Sequence, residues 1–396
     1  MTIFFQILFW LSVFAIFHSY VLFPIILQIL AKNKKTNQNV FSEKDIINLP
    51  HVSILMALFN EEEVIEEKLN SILKTSYPNN KIEILIGSDN STDKTNEIVE
   101  QYSIKNSNIN FTVFSSRQGK PKIINQLQKK AKGTVLIITD ANVIFSENTV
   151  FQMLKHFKNE NIGLVDTQMI HKKESISKSG ISVQESSYIN REVGIKQNES
   201  IIWGTMMGPF GGCYSIRNSL YKDVPSNYLV DDFYINMNVF VQSKNAINSK
   251  EAIVYEDVSN NLKDEFRRKI RIATGNFQNL STFSKLLFSK KKGLAFSFFS
   301  HKVLRWLGPF FLLIALYSNL MLINSSLYQI ILILFLVTFL LPLIDTLLKK
   351  QNINISILRF ITHFYTMNLA LLIGFFKFLS GVKSGIWQPT KRNQSK

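Results

Sequence analysis

Two polar side chains, Asp140 and Asn142, directly follow an apolar run near the middle of the chain. The run itself, Val135 to Ile138, is short and continuous, as is typical of a strand buried on both faces of a parallel sheet. Ligands of open α/β sheets bind beyond the carboxyl ends of the strands, where this pair would lie. Oxygen donors at such an edge suit a hard divalent cation that is also bound to phosphate groups. The same Asp-x-Asn is also consistent with a plain Asx turn after a strand.

The segments around this pair predict the sheet that would position it. Short β-type runs recur at 52–57, 82–86, 111–114 and 135–138. Helical patterns alternate with these runs, so we predict an α/β class with a mainly parallel sheet flanked by helices. Asn60 is expected to be the N-cap of the first of these helices, because three glutamates follow it and complement a helix dipole.

Two long stretches of the sequence, 1–31 and 306–344, contain no charged side chain. Each exceeds the roughly 20 residues that a helix needs to cross a bilayer. The first has no basic leader and is longer than the core of a secretory signal, so it predicts an uncleaved anchor. The second is long enough for two helices with a turn at 324–326, and 360–376 is a weaker third candidate.

The chain has a net charge of +16, from 45 basic and 29 acidic residues. It contains no nucleic-acid-binding motif, so we expect no nucleic-acid partner. Much of the basic charge flanks the apolar stretches, as in cytoplasmic loops that face an anionic membrane surface. The single cysteine, Cys213, excludes an internal disulfide, which fits a reducing compartment. Together with the apolar stretches and their basic flanks, this predicts a multi-pass protein of the inner membrane with a cytoplasmic central domain. A fourth crossing would place the basic tail outside, so either the last apolar segment is re-entrant or interfacial, or the number of crossings differs.

Several short motifs follow one another in a fixed order along the middle of the chain. They are Val52-Ser53-Ile54, Asn60-Glu61-Glu62, Ser88 to Thr95, Gly119-Lys120, Thr139 to Asn142, Gly211-Gly212, Asp231-Asp232 and Glu265 to Arg271. Each motif alone is weak, but the ordered set resembles the successive motifs of family 2 glycosyltransferases over about residues 50–280. The resemblance implies an inverting, membrane-anchored, cellulose-synthase-like bacterial enzyme with a nucleotide-sugar-binding domain of the GT-A type.

The resemblance also implies roles for residues on the donor side. Asp89 would contact the uracil or ribose of the donor, and Lys120 would approach its diphosphate. Asp140 would bind Mg²⁺ or Mn²⁺, with Asn142 in place of the second Asp of the usual motif. Ser88 stands where many relatives have a further Asp.

On the acceptor side, Asp232 aligns with the catalytic base of the family. Direct inversion needs one base to take the proton of the attacking hydroxyl. Asp231 replaces the usual Glu and, with Gly212, would face the acceptor. Arg268 and Arg271 would bind the donor diphosphate, although a basic face touching lipid headgroups explains them equally well.

Together these features predict six segments of the chain. They are an anchor at 1–31, a linker at 32–49, a cytoplasmic GT-A domain at 50–282, a basic interfacial segment at 283–302, a membrane region of two or three helices at 303–380 and a basic tail at 381–396.

The predicted activity is that of a hexosyltransferase in surface polysaccharide or glycolipid biosynthesis. It would move a sugar from a nucleotide donor, UDP-linked, to a lipid-linked or growing glycan acceptor, together with other polysaccharide-assembly proteins. One alternative is a processive synthase, whose Gln-x-x-Arg-Trp motif is replaced here by residues 268–272, Arg-Lys-Ile-Arg-Ile. The other is a non-catalytic membrane scaffold that keeps the fold. Asn142 and Ser88 leave this alternative open, because each replaces an Asp of the usual motifs.

Overall fold

A computed structural model describes residues 1–171, 180–256, 262–351, 353 and 355–385, and the side chains of 171–190 and 257–264 lie outside this description. The described chain divides into two compact units. The sheet unit contains residues 30–171, 190–256 and 382–385. The helical unit contains residues 1–29, 180–189, 262–351, 353 and 355–381. Most of the predicted tail, 386–396, is outside the described residues.

The described secondary structure alternates strands and helices in the sheet unit and is helical elsewhere. The strands are β1 (Val52–Leu58), β2 (Ile82–Ser88), β3 (Ile109–Val113), β4 (Val135–Thr139), β5 (Ile144–Phe145), β6 (Ile162–His171), β7 (Cys213–Arg217) and β8 (Asn245–Glu256). The helices are α1 (Thr2–Ala31), α2 (Ile65–Leu73), α3 (Thr95–Lys105), α4 (Lys120–Lys130), α5 (Thr149–Leu154), α6 (Gly180–Trp203), α7 (Asp231–Val241), α8 (Leu262–Phe283), α9 (Lys292–Trp306), α10 (Gly308–Met321), α11 (Ser326–Lys350) and α12 (Ser356–Leu379).

The described strands form one sheet in the order β3-β2-β1-β4-β7-β6-β8-β5. β1 is parallel to both β2 and β4, β2 is parallel to β3, and β6 is parallel to β8. β7 runs antiparallel between β4 and β6, and β5 is antiparallel to β8. The predicted mainly parallel α/β sheet is therefore confirmed. All five residues of β4 are buried, which explains why its sequence is a continuous apolar run rather than an alternation.

The helix after β1 begins later than the sequence predicts. α2 starts at Ile65, with Val64 as its N-cap residue. Asn60 adopts a left-handed conformation (φ 54°), which Asn tolerates better than most residues. Its Oδ1 accepts a hydrogen bond from the backbone N–H of Thr92 at 2.9 Å, which joins the segments that follow β1 and β2. The predicted role of Asn60 as an N-cap was therefore wrong.

The C-terminal end of the described chain returns to the sheet unit. The backbone N–H of Gly385 donates to the carbonyl oxygen of Ser226 at 3.0 Å. The side-chain amide of Asn227 donates to the carbonyl oxygen of Val382 at 3.3 Å. Residues 382–385 are thus attached to the same unit as β1 to β8.

A buried histidine makes the stability of the sheet unit depend on pH. His156 has its Nε2 3.3 Å from Ser249 Oγ, and its Nδ1 has no hydrogen-bond partner among the described residues. Burial, and to a lesser extent Lys155, lowers the pKa of His156 from 6.5 to about 4. The folded state therefore favours neutral imidazole, and this stability is present above pH 6.5 and lost as the pH falls to about 4.

We expect His156→Gln to remove this acid sensitivity. The gap between 6.5 and about 4 corresponds to about 3 kcal/mol of unfolding free energy. Denaturant unfolding at pH 7.5 and at pH 4.5 measures it, and the loss between these pH values should be smaller in the variant by about that amount. Equal losses in the two proteins would contradict the assignment.

Apolar helices pack against one another in the helical unit. Phe9 of α1 lies in a cluster with Ala315, Leu322 and Tyr328, and the Phe9 and Tyr328 rings are 5.5 Å apart. α12 packs closely on α8, because a Cβ on Gly374 would lie only 2.6 Å from the Cβ of Ala273. The small glycine therefore permits this close helix crossing.

Three helices of the described chain are long and apolar enough to cross a membrane: α1, α11 and α12. α9 and α10 qualify only as a pair, bent by 63°, which is either one broken span or a re-entrant loop. α10 ends at Met321 and α11 begins at Ser326, in agreement with the turn predicted at 324–326. A buried ion pair between Arg359 and Asp345, 2.9 Å apart, connects α12 to α11.

Candidate active site

The sheet brings several predicted site residues to one edge. β1, β2 and β4 are parallel neighbours, so the segments that follow them emerge on the same side. Asp89 directly follows β2, and Asp140 directly follows β4. Because β7 is antiparallel to β4, with Thr139 opposite Cys213, the segment that precedes β7 arrives at this edge as well. That segment carries Gly211 and Gly212.

Asp89 holds the loop that precedes α4. Its buried carboxylate accepts hydrogen bonds from the backbone N–H groups of Gln118 (2.5 Å) and Gly119 (3.1 Å). It also accepts one from Nε of Arg117 at 3.0 Å, while the Arg117 guanidinium lies over the Phe59 ring. Gly119 has φ +84°, a conformation that favours glycine, and it is the residue before the first of α4. Asp89 therefore fixes the position from which α4 begins, and its predicted contact with the nucleotide stays a prediction.

Lys120, the first residue of α4, forms an ion pair with Asp140. Its Nζ is 2.7 Å from Asp140 Oδ1 and 3.4 Å from the carbonyl oxygen of Gly211. Burial by itself would lower the pKa of Lys120, but Asp140, followed by Asp231 and Asp232, raises it above the usual value of a lysine. The ammonium is thus a permanent cation among three carboxylates.

Asp232 lies against the glycine pair. Both Asp231 and Asp232 are in the first turn of α7, and Asp232 Oδ1 accepts a hydrogen bond from the N–H of Phe233 at 2.7 Å. A Cβ on Gly211 would lie 2.4 Å from Asp232 Oδ2, so a larger residue at position 211 would displace this carboxylate. The neighbouring Gly212 accepts, through its carbonyl oxygen, a hydrogen bond from the N–H of Asp140 at 2.9 Å. The geometry therefore joins the Asp140 and Asp232 segments through two adjacent glycines.

Asn142 is oriented by a residue that the sequence did not single out. Its buried side-chain amide donates to Glu256 Oε1 at 2.9 Å, at the end of β8. A carboxylate at position 142 would face that glutamate and repel it. The replacement of Asp by Asn in this motif is thus matched by Glu256.

The residues present fit a divalent cation at Asp140. No group of three or more His, Cys, Asp or Glu side chains among the described residues could hold an ion alone. Mg²⁺ and similar ions, however, are commonly bound through one or two carboxylates together with substrate phosphates and water. The side chain of Asp140 is 36% exposed and its second oxygen is not engaged in a hydrogen bond with the described residues, so it suits such a site.

Sequence reasoning also missed Lys68, a fully buried lysine of α2. Its Nζ donates to Thr139 Oγ1 at 2.9 Å and to the carbonyl oxygen of Val143, and it lies 3.6 Å from the centroid of the Phe145 ring. Burial lowers the pKa of Lys68 to about 7. The available signal was its position on the apolar stripe of α2, between Ile65 and Leu69.

Arg268 and Arg271 are both on α8, in the helical unit. Arg268 makes two hydrogen bonds to Glu265, at 3.0 and 3.1 Å, one turn earlier in the same helix. Their predicted role in diphosphate binding stays a prediction.

Residues 53–224, which include Asp89, Lys120, Asp140 and the glycine pair, match the family model of glycosyl transferase family 2. This segment is a family 2 glycosyltransferase domain. The predicted family is thereby confirmed. In this glycosyltransferase domain residues 140–142 read Asp-Ala-Asn.

Relatives of the glycosyltransferase domain include two curated bacterial proteins. Over 255 residues the chain is 24% identical to the poly-beta-1,6-N-acetyl-D-glucosamine synthase of Staphylococcus epidermidis, covering 63% of this chain and 60% of the synthase. Over 264 residues it is 25% identical to "Probable glycosyltransferase YdaM" of Bacillus subtilis, covering 63% and 61%. The match thus spans about three-fifths of the length of each relative.

A solved structure has a fold similar to this chain. It is the mannosyltransferase PcManGT from Pyrobaculum calidifontis in complex with GDP-Man and Mn²⁺. Its TM-score is 0.70 at 19% identity, and the alignment covers 95% of this chain and 99% of that one. The likeness confirms the GT-A type of fold that the sequence predicts.

Proposed function

We propose that this protein is an inverting glycosyltransferase that moves a hexose from a nucleotide donor, UDP-linked, to a lipid-linked or growing glycan acceptor. The observation that carries the proposal is the meeting of Asp140 and Asp232 at one sheet edge, joined through Gly211 and Gly212. Sugar transfer needs the carboxylate that binds the donor metal and the carboxylate that deprotonates the acceptor to be held close together. The similarity to a polysaccharide synthase supports a role in surface polysaccharide or glycolipid biosynthesis.

In the proposed reaction, Asp232 is the general base. The acceptor oxygen attacks the anomeric carbon and its proton passes to an Asp232 oxygen, while the bond from that carbon to the diphosphate breaks and the nucleotide leaves with the electron pair. Asp231, the next carboxylate of the same turn, and Gly212 border the acceptor side. The Asp232 carboxylate lies directly beside Gly211, next to the segment that carries Gly212.

On the donor side, the chain neutralises the charge of the departing diphosphate. Lys120 supplies an ammonium that its carboxylate neighbours keep protonated. Asp140 would hold Mg²⁺ or Mn²⁺, which stabilises negative charge on phosphate oxygens when bound. Asn142 orients the same segment and contributes its amide oxygen, and Asp89 acts from the other side by fixing the loop before Lys120.

Arg268 and Arg271 complete the proposal as further cations for the diphosphate. We place the protein in the bacterial inner membrane as a multi-pass protein with its glycosyltransferase domain in the cytoplasm, because the apolar helices are flanked by basic residues. Other polysaccharide-assembly proteins are its expected partners, and no nucleic acid is expected to bind.

The polymerising activity named for the staphylococcal relative is a second candidate function, since 24% identity extends over 255 residues. Against it stands the segment Arg268 to Ile272, which lacks both the Gln and the Trp of processive relatives. An isoleucine offers no flat face on which a sugar ring can stack. We therefore propose that one or a few sugars are added to each acceptor.

Release of the free nucleotide by purified protein in lipid nanodiscs tests the proposed function. The donors are UDP-N-acetylglucosamine, UDP-glucose and GDP-mannose, each with Mn²⁺ and with a lipid extract as acceptor. We expect UDP release with a UDP-linked donor, and products that carry one or a few added sugars. A ladder of tens of sugars would establish the processive alternative. No release from any donor, with no UDP binding, would favour the scaffold alternative.

A further inference from the structure

Lys68 is a fully buried lysine that has no ion-pair partner among the described side chains. Its whole side chain is buried, and among the described side chains no carboxylate lies within ion-pair distance of its Nζ. Burying an unpaired charge costs free energy, so an apolar residue at this position of α2 would serve packing better. Instead, Nζ of Lys68 donates hydrogen bonds to Thr139 and Val143, the two ends of the segment that carries Asp140 and Asn142.

The bond to Thr139 fixes the direction of a second one. The Thr139 hydroxyl has one hydrogen, and its Oγ1 accepts a hydrogen bond from Nζ of Lys68. The hydroxyl is then free to donate to the carbonyl oxygen of Gly212, 3.0 Å away. The same carbonyl oxygen accepts the N–H of Asp140 at 2.9 Å. Lys68, Thr139 and Gly212 therefore form a continuous buried chain of hydrogen bonds.

This chain connects the two halves of the proposed site. At one end Thr139 is the residue immediately before Asp140. At the other end Gly212 follows Gly211, whose missing Cβ makes room for the Asp232 carboxylate. A shift of the Gly212 carbonyl would thus move the contact surface of Asp232 relative to Asp140.

We propose that Lys68 is a positioning residue that, through Thr139 and Gly212, sets the spacing between the donor-side Asp140 and the base Asp232. The expected change in turnover rests on the proposed function, whereas the hydrogen-bonded link between the two segments does not. It predicts that Lys68 contributes to alignment of the site and not to stability of the core.

Four variants of the full-length protein test the proposal. Lys68→Met removes the cation at similar length, and Thr139→Val removes the hydroxyl at similar shape. Thr139→Ser keeps the hydroxyl and should rescue the link. Leu69→Ala is the matched control, because Leu69 is a fully buried neighbour on α2 that makes no contact in this chain of bonds.

We expect turnover at saturating substrates to fall about tenfold or more in Lys68→Met and Thr139→Val, since misplacements of about 1 Å can cost about 10²-fold. The KM for the donor should change less than twofold. Thr139→Ser should keep the wild-type turnover, and Leu69→Ala should lower the melting temperature without lowering turnover. If Thr139→Val turns over within twofold of wild type, the proposal is overturned, even where Lys68→Met fails to fold.

Hydrogen–deuterium exchange provides a readout that does not depend on activity. Peptides covering 139–143 and 208–213 should exchange faster in Lys68→Met and Thr139→Val, but not in Thr139→Ser. Exchange at wild-type rates in Thr139→Val would reject the link between the two segments. Absence of sugar transfer by the wild type would instead reject the proposed function, and the exchange result would still decide the structural link.

Discussion

Replacing Asp232 by asparagine should abolish sugar transfer while leaving nucleotide binding almost unchanged. Asparagine fits beside Gly211 as the carboxylate does, but it cannot take the proton of the acceptor hydroxyl. Loss of a general base typically costs about 10²–10⁴ in rate. Transfer is measured by labelled-sugar incorporation, and UDP affinity by calorimetry with Mn²⁺ present.

Asp223→Asn is the matched control for this substitution. Asp223 is a half-exposed carboxylate of the same unit, paired with Lys129 at 3.2 Å on the surface. Such surface pairs contribute little, so the control should retain both transfer and UDP binding. Transfer by Asp232→Asn at more than half the wild-type rate would assign the base to another residue.

A second large effect is expected at Asp140. Asp140→Ala should lower the affinity for UDP in Mn²⁺ to the affinity that the wild type shows in EDTA, because it removes the carboxylate best placed to hold the ion. The variant also leaves Lys120 without its ion-pair partner, so metal-independent nucleotide binding should persist through that ammonium.

Calorimetric titration with UDP, with and without Mn²⁺, separates these two contributions. Lys120→Met should show the converse pattern, with weaker nucleotide binding in EDTA and a remaining response to Mn²⁺. Should Asp140→Ala keep the full Mn²⁺ response, the proposed metal ligand would be wrong.

The sequence predicted those parts of the fold that depend on local apolar pattern. β4 is buried along its whole length, so its run of apolar residues was sufficient to place the sheet edge at Asp140. The turn between α10 and α11 was predicted because three polar residues, 324–326, interrupt the second apolar stretch. Asn60 was assigned wrongly because a left-handed turn residue and an N-cap residue use the same side-chain chemistry.

The partners that orient the site could not be predicted, since they come from distant parts of the chain. Glu256 is 114 residues from Asn142, and Lys68 is 71 residues from Thr139. A lysine within an apolar stripe carries no local sign of the hydroxyl that it will meet. These contacts depend on how β4, α2 and β8 pack, which no short motif encodes.

In the membrane arrangement proposed above, the attachment of residues 382–385 to the sheet unit limits the number of helices that can cross the bilayer. The described chain leaves this unit after Glu256 and returns to it at Val382, so these two points belong on the same side of any bilayer that the helices between them cross. A path that returns to its own side of a bilayer has crossed it an even number of times. We therefore expect that, of the α9–α10 pair, α11 and α12, either two cross the bilayer or none does. With α1 as one further crossing, the proposed arrangement has an odd number of crossings, and we expect Met1 and the glycosyltransferase domain on opposite sides of the bilayer.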